Sequence, residues 1–312
     1  MSAYTADTWP ITSCMLGLDT TTRDGTPAQT AGPEFWRKQL SKIANQGFTN
    51  VELSDAWLKP ALLSSSERSE LVSIAAELGM NIPSVHIQRV SVIEPGKEAE
   101  NLAYQHASIE AAAEMGISVY STGLHQPFNQ AQREALWFWN GQGPIDPVGD
   151  TEVWNTAVTR IRELARHAQD LGMITSLEMY EDTYIGSSDS AVRFVEDVGT
   201  DLVGINPDVG NLVRLHREVE DWRETYAKTL PYANYWHLKN YTRDEAADHS
   251  YYATAPSTLR DGVINYREVV ELAVSLGYSG ILTCEHYGGD SISVCGENQR
   301  HLRGLLAETL AG

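Results

Sequence analysis

Cysteine is scarce in this chain. Its 312 residues include three cysteines, Cys14, Cys284 and Cys295, and none of them forms a C-x-x-C pattern. An odd number of widely spaced cysteines is typical of free thiols in a reducing compartment rather than of a disulfide framework. We therefore predict a cytoplasmic protein.

Long hydrophobic runs are also missing. No segment approaches the roughly 20 apolar residues that a membrane helix needs. The N-terminus, MSAYTADTWPITS, has no basic region followed by an apolar stretch, so we expect no signal peptide. The sequence therefore predicts no membrane partner.

Basic residues are few. The chain has 23 Lys and Arg against 42 Asp and Glu, which gives a net charge of −19. Such a surface repels nucleic acid phosphates over most of its area, so the charge argues against DNA or RNA as a partner. A local basic pocket remains compatible with this composition.

What the chain has is a repeated phrase in which a helix ends at a Gly and a strand follows. The Gly ends the helix in the left-handed conformation, and the next residues turn into the strand. Amphipathic helical patterns precede most copies. The phrase occurs as NQGFTNVEL (45–53), ELGMNIPSVH (77–86), EMGISVYSTG (114–123), DLGMITSLEM (170–179), DVGTDLVGIN (197–206) and SLGYSGILTCE (275–285).

The number of these units predicts the fold class. With an opening strand at 11–18 and another at 234–239, the count reaches eight strands. Eight alternating strands and helices predict an α/β protein with a single (β/α)8 TIM barrel domain over residues 1–312. A doubly wound sheet is the alternative, but the glycine-rich turn expected after its first strand is missing. Long βα loops are expected at about 125–153 and 240–262.

Four polar residues stand at the ends of predicted strands five to eight. They are Glu178 in SLEMYED, Asp208 in INPDVGN, His237 in YWHLKN and Glu285 in LTCEHYG. Residues at the C-terminal ends of barrel strands converge on one mouth. Three carboxylates and an imidazole there would form a divalent cation site.

Each of these residues has a simpler interpretation when taken alone. Asp208 could be a turn residue, His237 a hydrogen-bonded core histidine, and the two glutamates partners of Lys or Arg. Together they favour a site, because charged groups at the ends of near-apolar strands are costly unless they are paired or bound to metal. A cation turns the mutual repulsion of the carboxylates into attraction.

The segments LEMYED, NPDVGN, HLKNY and DGVINYREVVELAVSLGYSGILTCEH occur in the order found in a known family. The chain resembles the xylose isomerase-like barrels, which include sugar epimerases, hydroxypyruvate isomerases and inosose dehydratases. The resemblance implies that Glu178, Asp208, His237 and Glu285 bind one divalent metal, most commonly Mn²⁺, with Mg²⁺ or Co²⁺ as alternatives. It also implies that the two glutamates are the catalytic acid/base pair and that the protein is a homo-oligomer.

One residue departs from the family pattern. Ketose 3-epimerases of this group place a His three residues after the ligand Asp, where it meets substrate, and this chain has Asn211. Further candidates for substrate binding are His86 and His125, which end strands three and four, together with Glu181 and Lys239. Each has a structural alternative, and for Lys239 that alternative is pairing with a ligand carboxylate.

The predicted function is proton abstraction next to a carbonyl of a sugar or keto-sugar, through an enediolate, by a metal-dependent isomerase or epimerase. Loss of a β-substituent from the same enediolate would make a lyase. The lyase could be a keto-inositol dehydratase, or an enzyme that cleaves 3-keto-glycosides or C-glycosides with a small partner subunit. A third hypothesis is a sugar-binding or scaffold protein without catalysis. The aromatic segment 137–139 could line a pocket, cap the mouth, contact another subunit or form a small core under its loop.

Overall fold

The computed structural model of this chain describes residues 4–311 and forms an α/β barrel. Eight strands make one parallel sheet, and two more form an antiparallel hairpin. The fold prediction is therefore confirmed. The strands are β1 Ile11–Cys14, β2 Asn50–Ser54, β3 Asn81–Ile87, β4 Val119–Thr122, β5 Ile174–Glu178, β6 Val203–Asn206, β7 Trp236–Leu238, β8 Asn240–Glu245, β9 Tyr252–Ser257 and β10 Leu282–Cys284.

Helices surround this sheet, and the longer ones bury apolar residues on one face. They are α1 Ala28–Ala31, α2 Pro33–Ala44, α3 Ser65–Glu77, α4 Glu98–Glu114, α5 Gln130–Glu134, α6 Thr151–Asp170, α7 Ser188–Val198, α8 Gly210–Val213, α9 Trp222–Thr229, α10 Tyr266–Ser275 and α11 Ser291–Ala311. In α6, Trp154, Ile161 and Leu164 are buried at helical spacing. Asp150 caps this helix, since its carboxylate accepts hydrogen bonds from the backbone N–H groups of its first turn.

The helix-to-strand turns have the backbone that the repeated phrase predicts. Gly79 after α3 has a φ of 75°, and Gly172 after α6 has a φ of 79°. Residues with a Cβ adopt this left-handed region only at a cost, whereas glycine enters it freely. The glycines of the repeated phrase therefore mark where the helices end and where the strands begin.

The barrel closes between β6 and β7 without a regular ladder. The strand order is β6-β5-β4-β3-β2-β1-β10-β7, so these two strands are the ends of the sheet. Across this seam, the Asn234 N–H donates to the Ile205 carbonyl at 3.3 Å. The His237 N–H donates to Asn206 Oδ1 at 2.7 Å. Part of the backbone pairing is thus replaced by a side chain.

Two long segments cover the C-terminal mouth. Residues 125–153 contain the short helix α5 and the aromatic residues Trp137, Phe138 and Trp139. Residues 240–262, expected to be a loop, contain the β8–β9 hairpin. The two segments meet where Trp139 Nε1 donates to Thr254 Oγ1 at 3.1 Å.

Two further findings concern expectations from composition. None of the helices within residues 4–311 is long and apolar enough to cross a membrane. Cys14, Cys284 and Cys295 are free thiols, and all three are buried. Desolvation raises the pKa of each of them, so they are poor nucleophiles.

Candidate metal centre and substrate site

The four predicted ligands meet at the C-terminal mouth of the barrel. Glu178 is the last residue of β5, Asp208 follows β6 by two residues, His237 is the middle residue of β7, and Glu285 follows β10 directly. One ligand atom from each residue lies within 4.8 Å of those of the other three. All four side chains are buried. The barrel therefore brings together residues that are up to 107 positions apart in the sequence (285 − 178).

His237 Nδ1 is the point around which the carboxylates gather. It lies 3.2 Å from Glu178 Oε1, 3.2 Å from Glu285 Oε2 and 3.8 Å from Asp208 Oδ2. Burial opposes a charge on this imidazole, but the carboxylates around it outweigh burial and raise the pKa of His237 well above its usual range. In the metal-free protein, a proton on Nδ1 thus occupies the position where the carboxylates converge.

Lys239 neutralises the side of the cluster formed by Asp208 and Glu285. Its Nζ lies 2.7 Å from Asp208 Oδ2 and 2.6 Å from Glu285 Oε1. The side chain is buried, so the ammonium is available to these carboxylates rather than to bulk water. The structure places this lysine beside the ligand carboxylates, which was the structural alternative considered for it.

Glu178 faces two histidines on its other side. Its Oε2 lies 3.0 Å from His86 Nε2 and 3.1 Å from His125 Nε2. Ser121 holds the other ring nitrogen of His86, with an Oγ to Nδ1 distance of 3.1 Å. Burial lowers the pKa of His125 to about 4, so this ring is neutral near pH 7. Both histidines therefore reach the cluster through the same carboxylate oxygen.

Asn211 also contacts Glu178. Its Nδ2 donates to Glu178 Oε1 at 3.2 Å and to the carbonyl of Met179 at 2.9 Å. The amide has no charge, so it orients the carboxylate without supplying a proton near pH 7. Asn211 thus makes a positioning contact with Glu178.

Glu181 is the one candidate that lies apart from the cluster. Both of its carboxylate oxygens accept hydrogen bonds from the buried Arg214, at 3.0 and 2.8 Å. Phe138 and Trp139 surround the guanidinium, with ring centroids 4.7 and 5.2 Å from its carbon. Glu181 therefore holds the guanidinium of Arg214 beside Phe138 and Trp139 above the site. Its role in substrate binding stays a prediction.

Glu52, in the middle of β2, also belongs to the cluster. Its Oε2 lies 2.8 Å from His237 Nε2 and accepts a hydrogen bond from the Tyr235 hydroxyl at 2.5 Å. A carboxylate on the far nitrogen fixes which nitrogen of the imidazole faces the ligands. The sequence signal was a glutamate inside the apolar strand NVELS, on the face of β2 that points into the barrel.

The electrostatics differ among the three carboxylates. Burial raises the pKa of Asp208 to about 8, and the charges of Glu285 and Glu178 act in the same direction against that of Lys239. Burial also opposes ionisation of Glu178 and Glu285. For Glu178 the three neighbouring histidines overcome it, and for Glu285 Lys239 and His237 do, so both pKa values lie below the usual range.

A divalent cation fits this donor set. Carboxylate oxygens and imidazole nitrogen are the ligands that Mg²⁺ and Mn²⁺ take in proteins. Neither buried oxygen of Asp208 accepts a hydrogen bond from residues 4–311, although Lys239 Nζ approaches Oδ2 closely. A cation would displace the proton that the surrounding carboxylates favour on His237 Nδ1, and it would supply the partner that the Asp208 oxygens need.

Two adjoining cavities give access to the cluster. The inner cavity has a volume of about 10 Å³ and is lined by Glu178, His237 and Glu285, among others. The outer cavity has a volume of about 400 Å³. Leu16, Gln88 and Tyr287 line both cavities, so the two lie side by side and share part of a wall. Larger cavities lie elsewhere, and none of the four ligands lines them.

The sequence model of the xylose isomerase-like TIM barrel family matches residues 40–305. The chain therefore belongs to this family, as its motifs predicted. A crystal structure of a xylose isomerase-like TIM barrel protein from Mycobacterium smegmatis, in complex with magnesium, is 43% identical with a TM-score of 0.93. The match covers 98% of this chain and 99% of that one.

More distant structures share the fold alone. A xylose isomerase domain protein from Planctomyces limnophilus is 16% identical, with a TM-score of 0.71 over 97% of this chain and 99% of that one. A D-psicose 3-epimerase from Clostridium cellulolyticum H10, solved with D-tagatose, is 14% identical, with a TM-score of 0.61 over 97% of each chain. No curated protein sequence matches this chain.

Proposed function

We propose that this protein is a divalent-metal-dependent isomerase or epimerase of a sugar or keto-sugar. The observation that carries the proposal is the convergence of Glu178, Asp208, His237 and Glu285 within 4.8 Å at the mouth of a barrel. Catalytic residues of such barrels come from the C-terminal ends of different strands. Membership in a family that includes sugar-modifying enzymes supports the same conclusion.

These four residues would hold the metal. When bound, a divalent cation there would polarise a substrate carbonyl or hydroxyl and acidify the neighbouring C–H. The magnesium in the Mycobacterium smegmatis relative supports a divalent ion at such a centre. We propose Mn²⁺ or Mg²⁺ as the native metal, with Co²⁺ as an alternative.

Glu178 and Glu285 are the proposed acid/base pair. Each has one oxygen towards His237 Nδ1 and the other towards a group that holds a proton. For Glu178 the second group is His86, and for Glu285 it is Lys239. One glutamate would take the proton next to the carbonyl, and reprotonation of the enediolate at the neighbouring carbon or on the opposite face would give the isomer or the epimer.

Tyr180 and Tyr287 would exclude water from the reacting atoms. Both line the inner cavity; Tyr180 is buried and Tyr287 is half-buried. The inner cavity is too small for a whole sugar, so the remainder of the substrate would extend into the outer cavity. His86, His125, Lys239 and Asn211 then have positions from which they orient the reacting end or the glutamates.

A lyase is the second candidate, and the outer cavity favours it. The wall of this cavity includes Phe128, Phe138 and Tyr287, which would accommodate an apolar leaving group beside the reacting carbon. The enediolate would then lose its β-substituent instead of regaining a proton. A small partner subunit, as in C-glycoside cleaving enzymes, stays part of this alternative.

Metal analysis and product analysis test both candidates. Protein loaded with Mn²⁺ or Mg²⁺ should retain about one ion per chain after gel filtration, and the variant Asp208→Asn should retain much less. Candidate keto-sugars are then incubated in D₂O and followed by NMR. Deuterium in an unchanged carbon skeleton supports an isomerase or epimerase, and release of water or an aglycone supports a lyase. Failure to bind any divalent ion would contradict both.

A further inference from the structure

Two arginines lie near the same aromatic residues, but only one is neutralised. Arg214 is fully buried and donates two hydrogen bonds to Glu181. Its guanidinium carbon is 4.7 Å from the Phe138 ring centroid and 5.3 Å from that of Tyr180. This pairing is the usual solution for a buried guanidinium, because an uncompensated buried charge is costly.

Arg89 is fixed in place without such a partner. Its guanidinium carbon is 3.4 Å from the Phe128 ring centroid. It donates to the Gln126 carbonyl at 3.2 Å and to the Tyr180 hydroxyl at 3.0 Å. Within residues 4–311, no carboxylate oxygen forms an ion pair with it. A guanidinium has five N–H donors, so most of its donor capacity remains for a ligand.

The backbone at Arg89 is also held in an unusual conformation. Its φ is 58°, in the left-handed region that residues with a Cβ seldom adopt. The neighbours on both sides are fixed, since Gln88 N–H donates to Asp55 Oδ1 and the Val90 carbonyl accepts from Gln105. Conformations of this kind persist where the surrounding structure enforces them, and they cluster at ligand-binding sites.

The cavity that Arg89 lines adjoins the inner cavity, with which it shares Leu16, Gln88 and Tyr287. Lys59 lines the same cavity, is exposed, and forms no ion pair within the described residues 4–311. Asp55 is the one acidic residue of the lining, and its carboxyl accepts from the Gln88 N–H and from the Tyr104 hydroxyl. Two cations without ion-pair partners therefore face a cavity whose other walls are mainly apolar or aromatic.

We propose that the outer cavity is an anion-binding subsite, in which Arg89, assisted by Lys59, binds a carboxylate or phosphate on the part of the substrate remote from its reacting carbonyl. The inference rests on the proposed function, because it concerns the same substrate. It narrows the substrate class from sugars in general to acidic or phosphorylated keto-sugars. A planar guanidinium can donate two parallel hydrogen bonds to either group, which makes the recognition directional.

The test uses three ligands that differ only at C6: D-fructose, D-fructuronate and D-fructose 6-phosphate. Their dissociation constants are measured by calorimetry on the protein as purified and, in parallel, on the protein loaded with Mn²⁺. At least one anion should bind about tenfold more tightly than D-fructose, since hydrogen bonds to charged groups have that strength. The better of the two anions identifies the group as carboxylate or phosphate.

Three variants locate the effect. Arg89→Gln should bring the dissociation constant of the anion to within about twofold of that of D-fructose, because the charge-assisted hydrogen bonds are lost. Arg89→Lys, which keeps the charge but not the paired donors, should retain part of the preference. Arg166→Gln removes the same charge from an exposed position on α6 and should leave all three constants unchanged. Circular dichroism verifies that each variant is folded.

Two outcomes would overturn the subsite. They are equal affinity of the wild type for all three ligands, and no measurable binding of either anion. These results are independent of the metal and exchange measurements that test the proposed function. If the protein binds metal and catalyses exchange but prefers D-fructose, only the anion-binding subsite is refuted. If the protein prefers the anion to D-fructose through Arg89 but binds no metal, only the proposed metal-dependent function is refuted.

Discussion

Charge is arranged in opposite ways in the inner cluster and in the outer cavity. Around Glu178 and Glu285, each carboxylate has a histidine or lysine within 3.2 Å. In the outer cavity, Arg89 and Lys59 form no ion pair within the described chain. The inner cluster is therefore already balanced by protons and by Lys239, and it can take a cation only by releasing protons. The outer cavity has charge left over for a ligand.

The largest expected effect comes from breaking the inner cluster at its proposed bases. Glu178→Gln and Glu285→Gln should each lower turnover by about 10²–10⁴-fold, because an amide cannot accept the substrate proton. The measurement is kcat at saturating metal, with thermal unfolding to show that the fold persists. Glu271→Gln, at an exposed position of α10, is the control. Near-native turnover by either variant would refute its role as acid or base.

The next effect concerns the balance of charge inside the cluster. Lys239→Met leaves Asp208 and Glu285 without their shared ammonium, and we expect a loss of about 3–5 kcal/mol in the free energy of unfolding without metal. Added Mn²⁺ or Mg²⁺ should restore much of the loss, since a cation then faces the same carboxylates. Urea unfolding with EDTA or with metal measures both. Lys228→Met, which breaks an exposed ion pair with Asp189, should change little.

In the outer cavity, the buried carboxyl of Asp55 should make the free energy of unfolding depend on pH. Burial raises the pKa of this carboxyl to about 6. The unfolded chain loses this proton first, near pH 4, so stability should fall as the pH rises from about 4 to 6, by about 3 kcal/mol in total. Asp55→Asn should lack this component and be more stable than the wild type near pH 7. Urea unfolding of both proteins across this range gives the difference, and parallel pH profiles would contradict the prediction.

The smallest expected effect is at the far side of His237. Glu52→Gln should weaken metal binding by about 10–100-fold, because Glu52 orients the imidazole and increases its basicity. Tyr235→Phe removes one donor to Glu52 but keeps the contact between Glu52 and His237, so it should weaken binding less. Calorimetric titration with Mn²⁺ measures both. Wild-type affinity in Glu52→Gln would show that His237 needs no such support.

Local signals explain why much of the fold and of the cluster could be predicted from the sequence. Gly79 and Gly172 mark helix ends by their conformation alone, and the strand after each follows directly. Once strands are placed in order, barrel geometry brings the residues at their ends together, as it does for Asp208 and Glu285. Neither step depends on knowing which side chains touch across the barrel.

The remaining features depend on contacts between distant segments. The β8–β9 hairpin was expected to be a loop, and it packs through Thr254 against Trp139, which is 115 residues away. The pairing of Glu181 with Arg214 joins segments 33 residues apart, and Arg89 has no ion pair among residues 4–311 although it lies near the aromatic segment 137–139. No periodicity or spacing in the sequence encodes these encounters.

A single ion at the proposed metal centre would connect the two strands that meet at the β6–β7 seam. Asp208 follows β6 and His237 lies in β7, so the proposed metal would tie together the two strands that the backbone ladder leaves as ends. Local opening is easiest where backbone pairing is sparse. Amide protons along this seam should then exchange with solvent more slowly when the metal centre is occupied. The ion would stabilise the closed barrel as well as take part in its chemistry.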